Sequence, residues 1–366
     1  MSPNPVLNHV ATQIRELQPY QPGRPISAVM RERGIRNVVK LASNENPLGA
    51  GQQALAAIHA MQSNTLALYP DGNATALRQA ISRRLSVPEE CIILGNGSNE
   101  ILELSAHLML HQGTAAVYSD HAFIVYKLAT ATRRADSHIV PTHEFAHDLT
   151  AMAQAAQADN VRLMFVANPN NPTGTWHPAA KIRQLLEQTP PQVLVVLDEA
   201  YCEYTPEADA TLALLADFPN LLITRTFSKI HGIAGLRAGY AIADAEVVQM
   251  FNRIRQPFNM NVAAQIAAEA ALGDSEHVEN SIRTNAEGME LLTTALGQLE
   301  VPFIPSYGNF LTFRPKTAAA DVYEKMLDNG YIIRKLHEYN MSDWLRVTIG
   351  NAEQNQQVIR LLKQFC

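Results

Sequence analysis

The stretch "TRTFSKIHGIAGLRAGY" at 224–240 sets Lys229 and Arg237 among threonine, serine and glycine in otherwise apolar sequence. A lysine acts as a nucleophile only once its ammonium has lost a proton, which burial and a neighbouring positive charge both encourage. Thr226 and Ser228 offer hydroxyls, and Arg237 offers a planar fork suited to phosphate. Taken alone, Lys229 also reads as a surface lysine in a glycine-rich loop.

Other polar residues stand at the ends of apolar runs. "VLVVLDEAY" finishes with Asp198, Glu199 and Tyr201. Asp198 reads either as a helix cap or turn former, or as a partly buried carboxylate that needs a cationic partner. "ANPNNPTG" is turn chemistry, and its Asn171 would turn an amide donor toward any ligand at that strand end. "GNGSNEILEL" has the small residues that let backbone N–H groups at Ser98 and Asn99 approach an anion at a helix N-terminus. One ligand matches the whole set. Pyridoxal 5'-phosphate carries an aldehyde for the lysine, a pyridine nitrogen for the aspartate, a phenolic oxygen for Asn or Tyr, and a phosphate for Ser, Thr and Arg.

The elements that must position these residues are short Val-, Ile- and Leu-rich runs: "CIILGNGS", "AAVYSD", "RLMFVANPN", "VLVVLDEAY" and "LLITRTFSK". Apolar on both faces, they predict strands buried between helices such as "NEILELSAHLMLH" and "HPAAKIRQLLEQT". The alternation predicts an α/β domain with a mostly parallel sheet, whose ligands collect at the carboxyl ends of strands. From about Val262, Ala-, Glu- and Leu-rich stretches and the runs "NFLTFRP" and "WLRVTIG" predict a smaller α+β domain. The expected division is an N-terminal arm with part of the small domain at 1–46, a large ligand-binding domain at 47–262 and a small domain at 263–366.

At 366 residues the chain exceeds a usual single core. With 29 Lys and Arg against 35 Asp and Glu it has no basic surplus for nucleic acid. No apolar stretch is long enough to cross a bilayer. Cys91, Cys202 and Cys366 are far apart, with neither disulfide nor metal-ligand spacing. "MSPNPVLNHV" lacks a basic and apolar leader, so the cytoplasm is the expected compartment and no metal is expected.

The stretches "KLASNENPLG", "YPDGNATALRQAI", "GNGSNEIL", "NPNNPTG", "LDEAYCEY", "RTFSKIHGIAGLRAGY" and "WLRVTIG" span most of the chain. In these it resembles the aspartate-aminotransferase-like, fold-type I pyridoxal phosphate enzymes and, within them, the histidinol-phosphate aminotransferases. The resemblance implies a large domain with a seven-stranded type of sheet and a smaller domain. It makes Lys229 the residue bonded to the cofactor and the proton shuttle, Asp198 the partner of the ring nitrogen, and Tyr201 and Asn171 the partners of the ring oxygen. Ser98, Asn99, Thr226, Ser228 and Arg237 would hold the phosphate, joined across a homodimer interface by Tyr69, and Phe123 would stack on the ring. Arg346, Arg334 and Asn309 would line the substrate side, with Tyr20 and Asn46 closing over it. The implied reaction is ping-pong amino transfer between histidinol phosphate and 2-oxoglutarate. An aromatic or other 2-oxo acid aminotransferase, or a decarboxylase of a phosphorylated amino acid, stays open, because Phe258 replaces a tyrosine found in some family members. A non-catalytic ligand sensor would want a basic helix-turn-helix region, and residues 1–46 offer none.

Overall fold

The computed structural model describes residues 4–19 and 23–366. Thirteen strands are found among them: β1 (Val39–Lys40), β2 (Ile92–Gly95), β3 (Ala115–Ser119), β4 (Asp136–Val140), β5 (Val161–Ala167), β6 (Leu194–Asp198), β7 (Leu221–Thr226), β8 (Gly239–Ala243), β9 (Phe303–Ile304), β10 (Phe310–Phe313), β11 (Tyr331–Ile332), β12 (Arg334–Lys335) and β13 (Leu345–Thr348). Seven form one sheet in the order β2-β8-β7-β6-β5-β3-β4. Its pairs are parallel except those of β8, which runs antiparallel to both neighbours.

The apolar runs become strands because both faces of this sheet are covered. Alternate residues of β5, β6 and β7 enter two different cores: Leu163, Phe165, Leu194, Val196 and Leu222 on one side, Met164, Val166, Val195, Leu197, Leu221 and Ile223 on the other. The period-two pleat thus fixes which way each strand-end residue faces. The edge strand β4 is mostly exposed, so its "DSHIV" carries no such apolar signature.

The second unit is built on β12-β13-β10-β9, all antiparallel, and on the parallel pair β1 and β11. Its core joins Val29, Leu41 and Ala42 from the N-terminal segment to Leu311, Phe313, Leu345 and Val347 and to the last helix, Ala352–Phe365. That helix starts at a capping box of Asn351 and Gln354, whose side chains reciprocally satisfy backbone N–H groups. The helix Val262–Leu272 packs Ala264, Ala267, Ala268 and Ala271 with Leu77, Ile81 and Ile92 of the large unit. Among the described residues no helix is long and apolar enough to cross a membrane.

Candidate active site

The carboxyl ends of β5, β6 and β7 meet the loop after β2 and the edge of the small unit around a cavity of about 300 Å³. Asp198 is the last residue of β6 and Thr226 the last of β7. Ser98, Asn99, Phe123, Asn171, Asp198, Tyr201, Thr226, Ser228, Lys229, Arg237, Arg334 and Arg346 all line it. A larger void of about 700 Å³ shares Arg334 but holds neither Lys229 nor Asp198.

Lys229 points its Nζ at the Ser43 carbonyl, 3.1 Å away, and lies 5.7 Å from the centre of the Tyr201 ring. Burial, and after it the charge of Arg346, pull its ammonium down to a pKa of about 8. The shift enlarges the fraction of free amine near neutral pH, the form that a nucleophilic role would need.

Asp198 is buried, and its Oδ2 accepts a 2.8 Å hydrogen bond from the Tyr126 hydroxyl. No hydrogen bond reaches Oδ1 among the described residues. Burial raises its pKa to about 6, against the opposing pull of that hydroxyl and of the Ala200 backbone N–H. A buried carboxylate oxygen without a donor costs free energy unless a ligand supplies one. Glu199, next along the chain, is held by Arg225 through contacts of 2.9 and 2.7 Å, so the neighbouring negative charge is already matched.

The phosphate side is preassembled. Helix Ser98–Met109 begins behind Gly97, whose φ of 80° is a left-handed conformation that favours glycine. A Cβ on Gly97 would run into the Arg237 guanidinium, and one on Gly239 into the Ser98 backbone. These two glycines let the arginine and the helix N-terminus close on one point. Arg237 donates to Ser228 Oγ at 3.2 Å, and Thr226 Oγ1 accepts from the Ser228 N–H at 3.1 Å. The Asn99 side chain donates instead to Glu103 at 2.8 Å, which leaves its backbone N–H as the group offered to an anion. Unpartnered Oδ1 at one end and an anion cradle at the other fit the nitrogen and phosphate of pyridoxal 5'-phosphate.

On the opposite wall Arg346 of β13 stands across from Arg334 of β12 and Thr312 of β10 in the strand register. Arg334 is ion-paired with Glu338 at 2.6 Å. Arg346 donates to the Ala42 carbonyl at 2.8 Å and to Asn171 Oδ1. With its oxygen turned to Arg346, Asn171 has amide N–H groups to offer a ligand. The Tyr201 hydroxyl accepts from Asn44 Nδ2 at 2.8 Å.

Three expected residues lie off the cavity. Asn46 donates to the Ile230 carbonyl and to Ser281 Oγ, both at 2.8 Å, and Asn309 donates to the Asn44 carbonyl at 2.9 Å. Both thereby brace the lining segments 42–45 and 228–230 from behind. Tyr69 is 83% exposed and stacks on Phe258, with ring centres 4.7 Å apart, away from its own chain's cavity. Tyr20 lies outside the described residues. Sequence reasoning missed Tyr126, Asn44 and the Glu199–Arg225 pair. Tyr126, three positions beyond Phe123 on a helix, carried the only available hint.

The family described as "Aminotransferase class I and II" matches residues 36–362. The histidinol-phosphate aminotransferase of Methylobacillus flagellatus is 47% identical over 97% of this chain and 96% of its own length. Histidinol-phosphate aminotransferase 2 of Nitrosospira multiformis is 46% identical over 95% of this chain and 90% of its own. Among solved structures, the histidinol-phosphate aminotransferase of Sinorhizobium meliloti, in complex with pyridoxal-5'-phosphate, superposes with a TM-score of 0.88 at 26% identity, over 98% of both chains. A buried lysine of lowered pKa, a buried carboxylate and a helix N-terminus beside an arginine, all at the strand ends of such a sheet, agree with these matches: the chain belongs to the class I and II aminotransferases.

Proposed function

We propose that this chain is a pyridoxal 5'-phosphate-dependent aminotransferase of histidine biosynthesis, exchanging the amino group of histidinol phosphate with 2-oxoglutarate. The observation that carries the substrate side is the facing pair Arg334 and Arg346 beside Lys229, two guanidiniums suited to the anionic end of a phosphorylated amine. The names of the relatives at 46–47% identity support the same substrate.

When bound, the cofactor supplies an aldehyde that exchanges amines and a ring that accepts the electrons of a broken C–H bond. The residues of this chain do the rest. Lys229 takes and returns the proton at the substrate Cα, a role suited to an amine with a pKa of about 8. Asp198 would keep the ring nitrogen protonated. Tyr201 and Asn171 would orient the ring oxygen, and Phe123 would cover the ring face. Ser98, Asn99, Thr226, Ser228 and Arg237 bind the phosphate.

Homodimerisation belongs to this proposal. Leu66, Leu68 and Tyr69 are 71%, 70% and 83% exposed on one segment, an apolar surface suited to a second copy, whose phosphate site Tyr69 would complete. Tyr20 would close over the substrate from the arm, with Asn46 and Asn309 bracing the lining. For the domain division, the packing of Val262–Leu272 supports carrying the large unit on to Leu272. Free, widely spaced cysteines support a cytoplasmic compartment.

Phe258, which brings no hydroxyl to the Tyr69 shelf, favours aromatic amino acid transfer as a second reading. The deciding measurement is kcat/KM for histidinol phosphate against phenylalanine and tyrosine. Histidinol phosphate should lead by more than about tenfold, or 1.4 kcal/mol, and a smaller lead would sink the substrate assignment. Parallel lines in two-substrate kinetics are expected for the ping-pong order, and intersecting lines would rule it out.

A further inference from the structure

Tyr126 sits on helix Ile124–Thr132, fully buried, and nothing in the roles above uses it. Its ring lies face to face with Phe165 of β5, with centres 4.6 Å apart and planes 3° from parallel. It meets Phe123 edge-on at 5.9 Å and 89°. Apolar packing of this kind asks only for a phenyl ring. The hydroxyl is the feature that needs an explanation, because a buried O–H is costly unless paired. Its hydrogen bond goes to Asp198 Oδ2 at 2.8 Å.

We propose that Tyr126 is a positioning residue for the cofactor: its hydroxyl fixes the Asp198 carboxylate with Oδ1 left to the ring nitrogen, while the same ring backs Phe123, the residue over the ring face. The terminal torsion of an aspartate is soft, so a carboxylate gripped at one oxygen presents the other in one direction. Burial and the adjacent Asp198 charge hold the Tyr126 phenol well above its ordinary pKa, so it keeps its proton and acts as a donor rather than an acid or base. A hydrogen bond given to the charged carboxylate also favours the ionised form that a protonated ring nitrogen requires.

This inference rests on the cofactor reading, and the test separates the two. The cofactor dissociation constant of the full-length chain, by equilibrium dialysis, and kcat and KM for the amino donor are compared in wild type, Tyr126→Phe and Tyr126→Leu. Tyr126→Phe keeps the stacked ring and removes only the hydroxyl. It should bind pyridoxal 5'-phosphate about tenfold more weakly and lose about tenfold or more in kcat, with KM within about twofold. In a cycle with Asp198→Asn the two losses should not add, since the hydroxyl acts through that carboxylate.

A Phe variant equal to wild type in affinity and kcat, beside a damaged Leu variant, would reduce Tyr126 to packing and overturn the inference alone. Fully additive losses would also overturn it. A wild type that fails to retain pyridoxal 5'-phosphate would bring down the cofactor reading and this inference together. If Tyr126→Phe does not fold, 3-fluorotyrosine placed at position 126 decides through its fluorine resonance. A shift on cofactor addition that disappears in Asp198→Asn supports the inference, and an equal shift in both overturns it.

Discussion

The floor and the far wall of the cavity are built in opposite ways. The floor is a row of strand ends in one rigid sheet, so Asp198 and Thr226 take their directions from the same pleat that buries Val196 and Ile223. The wall combines strands of the small unit with the segment 42–45, and its groups bond to one another: Arg334 to Glu338, Arg346 to Asn171 and Ala42. On the floor Asp198 Oδ1 has no partner among the described residues, and glycines keep the anion cradle open. The floor is therefore held by one sheet, whereas the wall is held by polar contacts between separate segments.

The largest effect should come from the floor. Lys229→Ala should lower transamination by at least about 10⁴-fold, since it removes both the nucleophile and the Cα base, while leaving the phosphate cradle to hold cofactor. Turnover within about tenfold of wild type would show that the floor does not carry the chemistry. By contrast, Arg334→Lys should spare cofactor affinity and cost about tenfold or more in kcat/KM for a phosphorylated donor, because an ammonium cannot reproduce a two-pronged contact. If cofactor affinity fell as far as kcat/KM, the division between floor and wall would be wrong.

A change in stability rather than in activity tests whether the floor is strained for its ligand. Asp198 has a pKa of about 6 in the fold against 3.8 for the ordinary side chain. The folded chain therefore binds the extra proton, and stability of the cofactor-free protein should fall as pH rises from about 4 to about 6, by about 3 kcal/mol. The measurement is the denaturant midpoint against pH for wild type and Asp198→Asn. The difference between the two curves isolates Asp198 from Glu199 and Glu203, whose pKa values burial also raises. A difference flat across that window would mean the carboxylate is not held in an unfavourable charged state.

The floor was also the part most legible in sequence. Runs apolar on both faces identify β5, β6 and β7, and the polar residues at their ends line the cavity. Strand β4 was not legible, because an edge strand need not be apolar, nor was β8, whose "GYAIA" follows the Arg237 loop too closely to stand out. On the wall, the family resemblance pointed to Arg334 and Arg346 but could not say that Asn46 and Asn309 bond to backbone from outside the cavity. Amide side chains bond equally well to ligand or backbone, and only the fold decides which is near. Tyr126 escaped because its ring satisfies the pattern of a core helix, and its hydroxyl has meaning only once β6 lies beside it.

Tyr69 belongs to neither floor nor wall of its own chain, and it supplies the smallest and most particular expectation. Its ring rests on Phe258, which lies at a φ of 57° beside Gly72, and it stands 83% exposed, off the lining of its own chain's cavity. If a second copy receives that hydroxyl at its phosphate cradle, Tyr69→Phe should weaken pyridoxal 5'-phosphate binding by about three- to tenfold, the scale of one hydrogen bond to a charged group. The loss should depend on protein concentration. Above the dimer dissociation constant the two proteins should differ, and far below it they should converge, because neither monomer then has the added donor. Sedimentation velocity fixes the two regimes, and cofactor titration in each reads the effect. A difference that persists unchanged in the monomer would place the action of Tyr69 within its own chain, and no difference in the dimer would leave the cradle complete without it.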